Sequence, residues 1–192
     1  DFEVAPTLFL EFHGTEAYAV EQAQSLAEIA AEFGGGDFKW TANTEERNRL
    51  WQARHDVAYA CKAMRPKGEI WATDVCVPIS RLADCITETQ ADIKDTGLLA
   101  PIAGHVGDGN FHLCLIIDPD DPDERDRAEA LHERMVMRAL SMGGTCTGEH
   151  GIGYGKLDFL VAEHGEAVSV MRSIKQALDP DNIMNPGKIL RI

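Results

Sequence analysis

The alternation of apolar and polar positions predicts strands and helices in turn along the first third of the chain. Thr7–Phe12 is a short run rich in apolar residues and predicts a strand, and Thr15–Phe33 follows with the spacing of an amphipathic helix. A second cycle then begins. Phe38–Ala42 predicts another short strand, and Thr44–Met64 predicts a helix with Thr44 as its N-cap. The pattern therefore indicates a domain that mixes both kinds of element.

The middle of the chain carries the strongest strand signals. Glu69–Val77 is rich in β-forming residues and ends at a proline, and Ser80–Thr96 has helical periodicity up to a glycine. Two apolar runs, Leu99–His105 and Phe111–Ile117, are separated by the sequence Val-Gly-Asp-Gly-Asn. Because glycine and asparagine favour tight reversals, these two runs predict a β-hairpin.

Helical periodicity dominates the last part of the chain. Arg127–Met142 predicts one helix, and Lys156–Leu178 predicts a second helical stretch with a break at Gly165. We therefore predict an α+β fold, a ferredoxin-like antiparallel sheet with helices packed on one face, plus a helical C-terminal tail. Residues 1–145 form the predicted α+β core and residues 146–192 the tail.

Composition and charge exclude several classes of protein. The chain has 192 residues, 44% of them hydrophobic, and its net charge of −14 disfavours binding to nucleic acid. No apolar run approaches the roughly 18 residues that span a bilayer. Five cysteines without a C-x-x-C motif favour reduced thiols over a disulfide framework. Since the first residue is not Met, we expect a piece of a longer polypeptide.

Histidines beside glycine-rich segments are the first candidates for chemistry. His105 and His112 flank the predicted reversal, so a hairpin would bring both imidazoles to the same end of the sheet. Glu149 and His150 stand between glycines at a predicted tight turn. Two imidazoles and one carboxylate form a three-ligand set that leaves metal positions open for substrate. The alternative is that the histidines are structural and the glycines only form turns.

Arg54 is the candidate anion-binding residue. Helical spacing places it on a stripe with Leu50, Val57 and Cys61, where a guanidinium could bind a substrate carboxylate through two hydrogen bonds. The alternative is an arginine that extends from the edge of the stripe into solvent. Cys114 shares a strand face with His112 and could line the site, although a small buried hydrophobic residue is the more ordinary reading.

Five segments together resemble a known family. They are Gly104–His112 (GHVGDGNFH), Gly148–Gly153 (GEHGIG), Asn185–Lys188 (NPGK), Leu50–His55 (LWQARH) and Asp74–Leu82 (DVCVPISRL). The first three resemble the C-terminal substrate (cap) domain of FAD-linked 2-hydroxy-acid oxidoreductases of the vanillyl-alcohol-oxidase type. The last two are most similar to the cytochrome- or quinone-linked D-lactate dehydrogenases, and next to the glycolate oxidase flavoprotein subunit. The resemblance covers nearly the whole chain.

The resemblance implies a role for each candidate residue. It implies that His105, His112 and Glu149 bind a divalent metal, zinc first, with manganese or iron as alternatives. It further implies that His150 is the general base, that Arg54 meets the substrate carboxylate, and that Asn185 lies near the flavin domain.

The resemblance also implies an activity and its partners. The family oxidises small 2-hydroxy acids by hydride transfer to FAD, and here D-lactate would give pyruvate. Its FAD domain precedes this region, so the chain alone is expected not to turn over substrate, and residues 146–192 would return to that domain. The electron acceptor would be a quinone, a cytochrome or a flavoprotein. A homodimer is also possible.

Two other classes of function and the location complete the expectations. A metal-dependent hydrolase could use the same three ligands without flavin, and a non-catalytic domain could dock a basic partner on its acidic surface. We expect a cytoplasmic protein, with peripheral attachment at the inner membrane as the alternative.

Overall fold

The computed structural model describes residues 5–36 and 38–192. The chain divides into two compact units, Asp1–Ala58 and Tyr59–Ile192. The first unit contains two complete helices, and the second unit contains the sheet. In the described part of the chain, no helix combines the length and the apolar character needed to cross a membrane.

Helices are the regular elements of the first unit. Helix α1 spans Glu16–Glu32 and helix α2 spans Thr44–His55. The predicted N-cap of α2 was wrong by one residue, because Asn43 caps the helix and its side chain accepts hydrogen bonds from the next backbone N–H groups. The predicted strands at 7–12 and 38–42 were also wrong, since both segments lie in coil. Apolar patterning is local, whereas a strand needs a partner for its N–H and C=O groups.

The helix predicted to run from Thr44 to Met64 is interrupted. Helix α2 ends at His55, and helix α3 spans Val57–Met64. Asp56 lies between them, and its N–H donates to the carbonyl groups of Gln52 and Arg54. Such a short break barely disturbs the apolar periodicity, which explains why the sequence pattern did not reveal it.

One antiparallel sheet organises the second unit. Its strands are β1 (Glu69–Ala72), β2 (Val75–Cys76), β3 (Ile102–His105) and β4 (Asn110–Ile117). Strand β4 is central, with β1 and β2 in one continuous register along one side and β3 along the other. Thr145 adds an isolated antiparallel bridge to Cys76.

The order of the elements matches the predicted fold class. Taken as one strand, β1 and β2 are followed by a helix, the β3–β4 hairpin, a second helix and the bridge at Thr145. This is the βαββαβ arrangement of a ferredoxin-like sheet, with its last strand reduced to one bridge. The α+β class is confirmed. The hairpin was also predicted correctly, and its turn is a short 3₁₀ segment, Val106–Asp108.

Two long helices cover one face of the sheet. Helix α4 spans Ile79–Thr96 and helix α5 spans Pro122–Ser141. Helix α5 begins earlier than predicted because the Asp121 side chain caps its N-terminus. Alternate residues of β4 pack against these helices, and the core contains Phe111, Leu113, Leu115, Ile117, Leu82, Cys85, Leu131, Met135 and Val136. The intervening residues of β4 point to the opposite face.

The C-terminal region is helical, as predicted. Helix α6 spans Leu157–His164 and helix α7 spans Ala167–Leu178, with the break at Gly165. A small apolar cluster of Leu160, Val168 and Leu190 joins them. The proposed division of the chain at about residue 145, with a tail that returns to another domain, stays a prediction.

Candidate active site

The β3–β4 hairpin places two histidines on one face of the sheet. His105 lies opposite Asn110 in the register, and Asn110 precedes His112 by two residues, so all three share a face. The two imidazole centroids are 6.1 Å apart. Gly109 closes the turn at a φ of +77°, and a Cβ there would lie 2.0 Å from the carbonyl oxygen of Val77. This turn therefore needs glycine.

A loop after α5 brings a carboxylate and a third imidazole to the same place. Glu149 Oε1 is 2.9 Å from His112 Nε2 and 3.5 Å from His105 Nε2. The ring of His150 stacks on that of His112, with 4.7 Å between centroids and 5° between planes. His112 is nearly buried, whereas the side chains of His105, Glu149 and His150 are between 43% and 49% exposed. The cluster is therefore open on one side.

The hydrogen bonds of His112 decide which of its nitrogens can act as a ligand. Its Nδ1 lies 2.9 Å from the carbonyl oxygen of Thr73, an acceptor, so Nδ1 carries a proton and donates it. Neutral His112 then presents the lone pair of Nε2 to Glu149 Oε1, which is also an acceptor. Two acceptors at 2.9 Å need a positive charge, either a proton or a metal ion. The donor set of His105, His112 and Glu149 therefore fits a divalent cation.

A second group of donors lies nearby but suits a metal less well. Asp74, His112 and His150 also have ligand atoms within 4.8 Å of one another. The His112 nitrogen beside Asp74 is Nδ1, 3.6 Å from Asp74 Oδ1, and this nitrogen already donates to Thr73. Both oxygens of Asp74 also accept hydrogen bonds from protein groups. The first set is therefore the better metal site.

Asp74 is the residue that the sequence analysis missed. It is fully buried, and its Oδ2 accepts hydrogen bonds from the hydroxyl of Thr147 and from the backbone N–H groups of Gly148, Glu149 and His150. Burial by itself raises the pKa of Asp74, but these donors together hold that pKa well below its usual range. The available signal was an acidic residue inside an otherwise β-forming, apolar run.

Gly148 allows the loop to approach the sheet closely. A Cβ at this position would lie 2.1 Å from Asn110 Nδ2 and 3.0 Å from Asp74 Oδ1. Because neither of those buried groups can move without losing hydrogen bonds, a side chain here would displace the loop. The glycine of the Gly-Glu-His segment therefore has a packing role as well as a conformational one.

The remaining candidates lie in different parts of the chain. Arg54 is half-buried on α2 in the first unit, and its contact with a substrate carboxylate stays a prediction. Asn185 is exposed in a turn at a φ of 49°, after two N–H groups that donate to Asp179. The backbone N–H of Ile189 donates to the carbonyl of Gly153, which ties this turn to the loop that carries His150. Cys114 is buried opposite Ala72.

A cavity of about 200 Å³ adjoins His150. It is lined by Trp71, Ala72, His132 and the segment 150–156. His132 is buried on α5, with its ring edge-on to Trp71 and Phe159, and its Nε2 has no hydrogen-bond partner. Burial lowers the pKa of His132 to about 4, and the ammonium of Lys156 contributes to the same shift. The imidazole is therefore neutral at pH 7.

His132 should make folding sensitive to acid. The unfolded chain binds a proton at this residue near pH 6.5, whereas the folded chain does so only near pH 4. We expect the free energy of unfolding to fall between these values by about 3 kcal/mol because of this group. Urea unfolding of the wild type and of His132→Leu at pH 7 and at pH 4 would measure the effect. Equal pH dependence in both proteins would contradict it.

A known protein family matches nearly the whole chain. The family model for the C-terminal domain of FAD linked oxidases matches residues 1–189. A probable mitochondrial D-lactate dehydrogenase from Danio rerio is 53% identical over 192 residues, which is 100% of this chain and 39% of that protein. A mitochondrial D-lactate dehydrogenase (cytochrome) from Arabidopsis thaliana is 48% identical over 187 residues, 97% of this chain and 33% of that protein.

More distant relatives extend the similarity. Glycolate oxidase subunit GlcD from Escherichia coli K12 is 28% identical over 182 residues, 94% of this chain and 36% of that subunit. A structure of 4-ethylphenol oxidase from Gulosibacter chungangensis, in complex with isoeugenol, gives a TM-score of 0.62 at 18% identity. It covers 90% of this chain and 37% of that one, and it supports the fold alone. The chain thus spans between a third and two fifths of the length of each of these proteins.

Proposed function

The chain belongs to the family of C-terminal domains of FAD linked oxidases, and from this premise we propose that it is the substrate- and metal-binding part of a flavin-dependent D-2-hydroxy-acid dehydrogenase. The proposed reaction oxidises D-lactate to pyruvate. The FAD would be held by an N-terminal domain of the same flavoprotein, and the electron acceptor would be a quinone, a cytochrome or another flavoprotein. The observation that carries the proposal is the convergence of His105, His112, Glu149 and His150 on one open face.

The ligand set has a clear chemical use in this reaction. His105, His112 and Glu149 would hold the divalent ion, with zinc favoured and manganese or iron as alternatives. Such an ion supplies positive charge beside the hydroxyl and carboxylate oxygens of a hydroxy acid, which lowers the pKa of the alcohol. The cluster would otherwise offer little attraction for an anion, because the whole chain carries a net charge of −14.

His150 is the proposed proton acceptor. Its ring is fixed by stacking on His112, and its Nε2 is 3.8 Å from Glu149 Oε1, so the imidazole lies directly beside the ligand set. A neutral imidazole there can accept the proton of the substrate hydroxyl. The hydrogen on the substrate Cα leaves with both bonding electrons as a hydride, for which FAD supplies the acceptor. Lactate thereby loses one proton and one hydride and becomes pyruvate.

Two further proposals concern neighbouring residues and location. Asn185 is proposed to contact the flavin domain, because it is exposed in a turn that is joined to the His150 loop. Four of the matched D-lactate dehydrogenases carry the word mitochondrial in their names. A cytoplasmic location, or peripheral attachment at the inner membrane, stays a prediction for this chain.

A stereochemical screen tests the proposal as a whole. The flavoprotein that carries this chain would be purified with FAD and offered D- and L-lactate, glycolate and larger 2-hydroxy acids, with a dye as electron acceptor. We expect D-lactate to be oxidised at least about 100-fold more efficiently than L-lactate. Preference for glycolate would move the assignment to glycolate oxidase. Hydrolysis of esters by the chain without flavin would replace it with a hydrolase.

The carboxylate clamp has its own test. Arg54→Ala should raise the KM for D-lactate by about 10- to 100-fold with a smaller change in kcat, because a charged hydrogen bond to the substrate is lost in both ground and transition states. Arg49→Ala, an exposed arginine on the same helix, is the matched control. If both variants keep the wild-type KM, Arg54 does not bind the substrate.

A further inference from the structure

We infer that Asp74 is the positioning residue of this site, because its buried carboxylate fixes the loop that carries Glu149 and His150. The inference rests on the function proposed above, since it concerns how the proposed ligand and proton acceptor are held. Asp74 lies between β1 and β2, where its side chain meets residues 147–150. Its role would be exerted through backbone groups, without contact with substrate.

One oxygen of Asp74 organises the loop. Oδ2 accepts from the Thr147 hydroxyl at 2.8 Å and from the N–H groups of Gly148, Glu149 and His150 at 2.9, 3.1 and 3.0 Å. Three consecutive N–H groups can meet one acceptor only if the backbone curls around it, so the carboxylate sets the loop conformation. The side chains of Glu149 and His150 then leave the loop towards His112.

The other contacts of Asp74 fix the carboxylate itself. Oδ1 accepts from Asn110 Nδ2 at 2.8 Å, and Asn110 lies on β4 two residues before His112. Lys156 Nζ lies 3.3 Å from Oδ2 and also donates to the Asp74 carbonyl at 3.0 Å. The same side chain therefore joins the strand that bears His112 to the loop that bears Glu149 and His150, and a buried lysine balances its charge.

An amide at position 74 cannot reproduce these contacts in either orientation. If its NH₂ group faced the loop, it would meet three N–H donors. If it faced Asn110, it would meet the amide donor of that residue. Asn110 cannot turn over to relieve the clash, because its Nδ2 also donates to the carbonyl of Val75 at 3.0 Å. In the second orientation the loop would keep an oxygen acceptor, but a neutral one that binds its donors more weakly than a carboxylate does. Asp74→Asn should therefore loosen the loop, although it changes only one heavy atom of the side chain.

The test compares Asp74→Asn with Asp92→Asn in the 192-residue chain. Asp92 is a carboxylate on α4 that accepts charged hydrogen bonds from Arg134 and Arg138 of α5, so its loss also lowers stability. Nuclear magnetic resonance would record amide exchange of residues 148–150 and the imidazole C–H shifts of His112 and His150, which report their stacking. Zn²⁺ affinity would be measured by competition with a chromophoric chelator.

For Asp74→Asn we expect exchange of the three loop amides to be at least about tenfold faster, with loss of the ring-current shifts. Zn²⁺ affinity should fall by about 10- to 100-fold, the usual cost of losing a group that orients a metal ligand. Asp92→Asn should keep wild-type loop exchange, shifts and Zn²⁺ affinity. A folded Asp74→Asn chain with wild-type loop exchange and imidazole shifts would overturn the inference.

Two further outcomes are distinguishable. If Asp74→Asn does not fold, Thr147→Val removes one donor to Oδ2, and we expect smaller changes in the same direction; unchanged loop exchange and shifts would count against Asp74. If the wild type binds no Zn²⁺ while the loop still loosens in Asp74→Asn, the proposed metal site fails and the positioning role stands.

Discussion

Replacing His150 with glutamine is expected to lower kcat for D-lactate oxidation by about 100- to 10,000-fold, the range typical of losing a general base. Glutamine keeps a polar side chain of similar length, but it cannot accept the hydroxyl proton. The KM should change much less, because the groups proposed to hold the substrate are the bound metal ion and Arg54. Steady-state kinetics of the flavoprotein that carries this chain, with a dye as acceptor, would measure both constants.

His164→Gln is the matched control for this prediction. His164 ends α6, where its Nε2 is 3.5 Å from Glu163 Oε1, and the structure gives it no place in the cluster of His105, His112, Glu149 and His150. Wild-type kcat is expected for this variant. If His150→Gln retained more than about a tenth of wild-type kcat, proton acceptance would belong to another group.

Replacing Glu149 with glutamine is expected to weaken binding of Zn²⁺ or Mn²⁺ to the chain by at least about 100-fold. The change removes the only carboxylate of the three-ligand set, and even groups that merely orient metal ligands contribute about 10- to 100-fold. His105 and His112 would remain as two neutral donors. Competition with a chromophoric chelator at pH 7.5 would measure the affinity, with circular dichroism to show that the variant is folded.

The control for Glu149 is Glu129→Gln, which changes an exposed glutamate on α5 by the same atoms. It also lowers the net negative charge by the same amount, so it corrects for long-range attraction of the cation. Affinities of Glu149→Gln and Glu129→Gln within threefold of each other would remove Glu149 from the ligand set.

The sequence predicted the parts of the fold that depend on local patterns. The β3–β4 hairpin was predictable because Gly109 and its neighbours mark a reversal between two apolar runs, and Gly97 marks the end of α4. The strands expected at 7–12 and 38–42 did not form, since partner strands cannot be read from a local pattern. The break at Asp56 was missed because a single residue hardly changes the phase of a helix.

The site divides in the same way. His105, His112, Glu149 and His150 could be proposed from the sequence because each stands in or beside a glycine-rich turn with a chemically useful side chain. Asp74 could not, because its partners are backbone N–H groups more than 70 positions along the chain. An acidic residue in an apolar run was the local signal, but the long-range contacts that give Asp74 its importance cannot be read from that signal. The cavity beside His150, with the unpartnered Nε2 of His132, was hidden for the same reason.

The two-sided use of β4 has a consequence for how this domain can vary. Phe111, Leu113 and Leu115 face the helices, while Asn110 and His112 face the site. Inserting or deleting one residue in this strand would exchange its two faces, so that the site lost its imidazole and the hydrophobic core received it. Substitutions can adjust one face at a time, but changes of length cannot. Engineered insertions should therefore be placed after Ile117, in the acidic turn before α5, where they do not change the register of the strand.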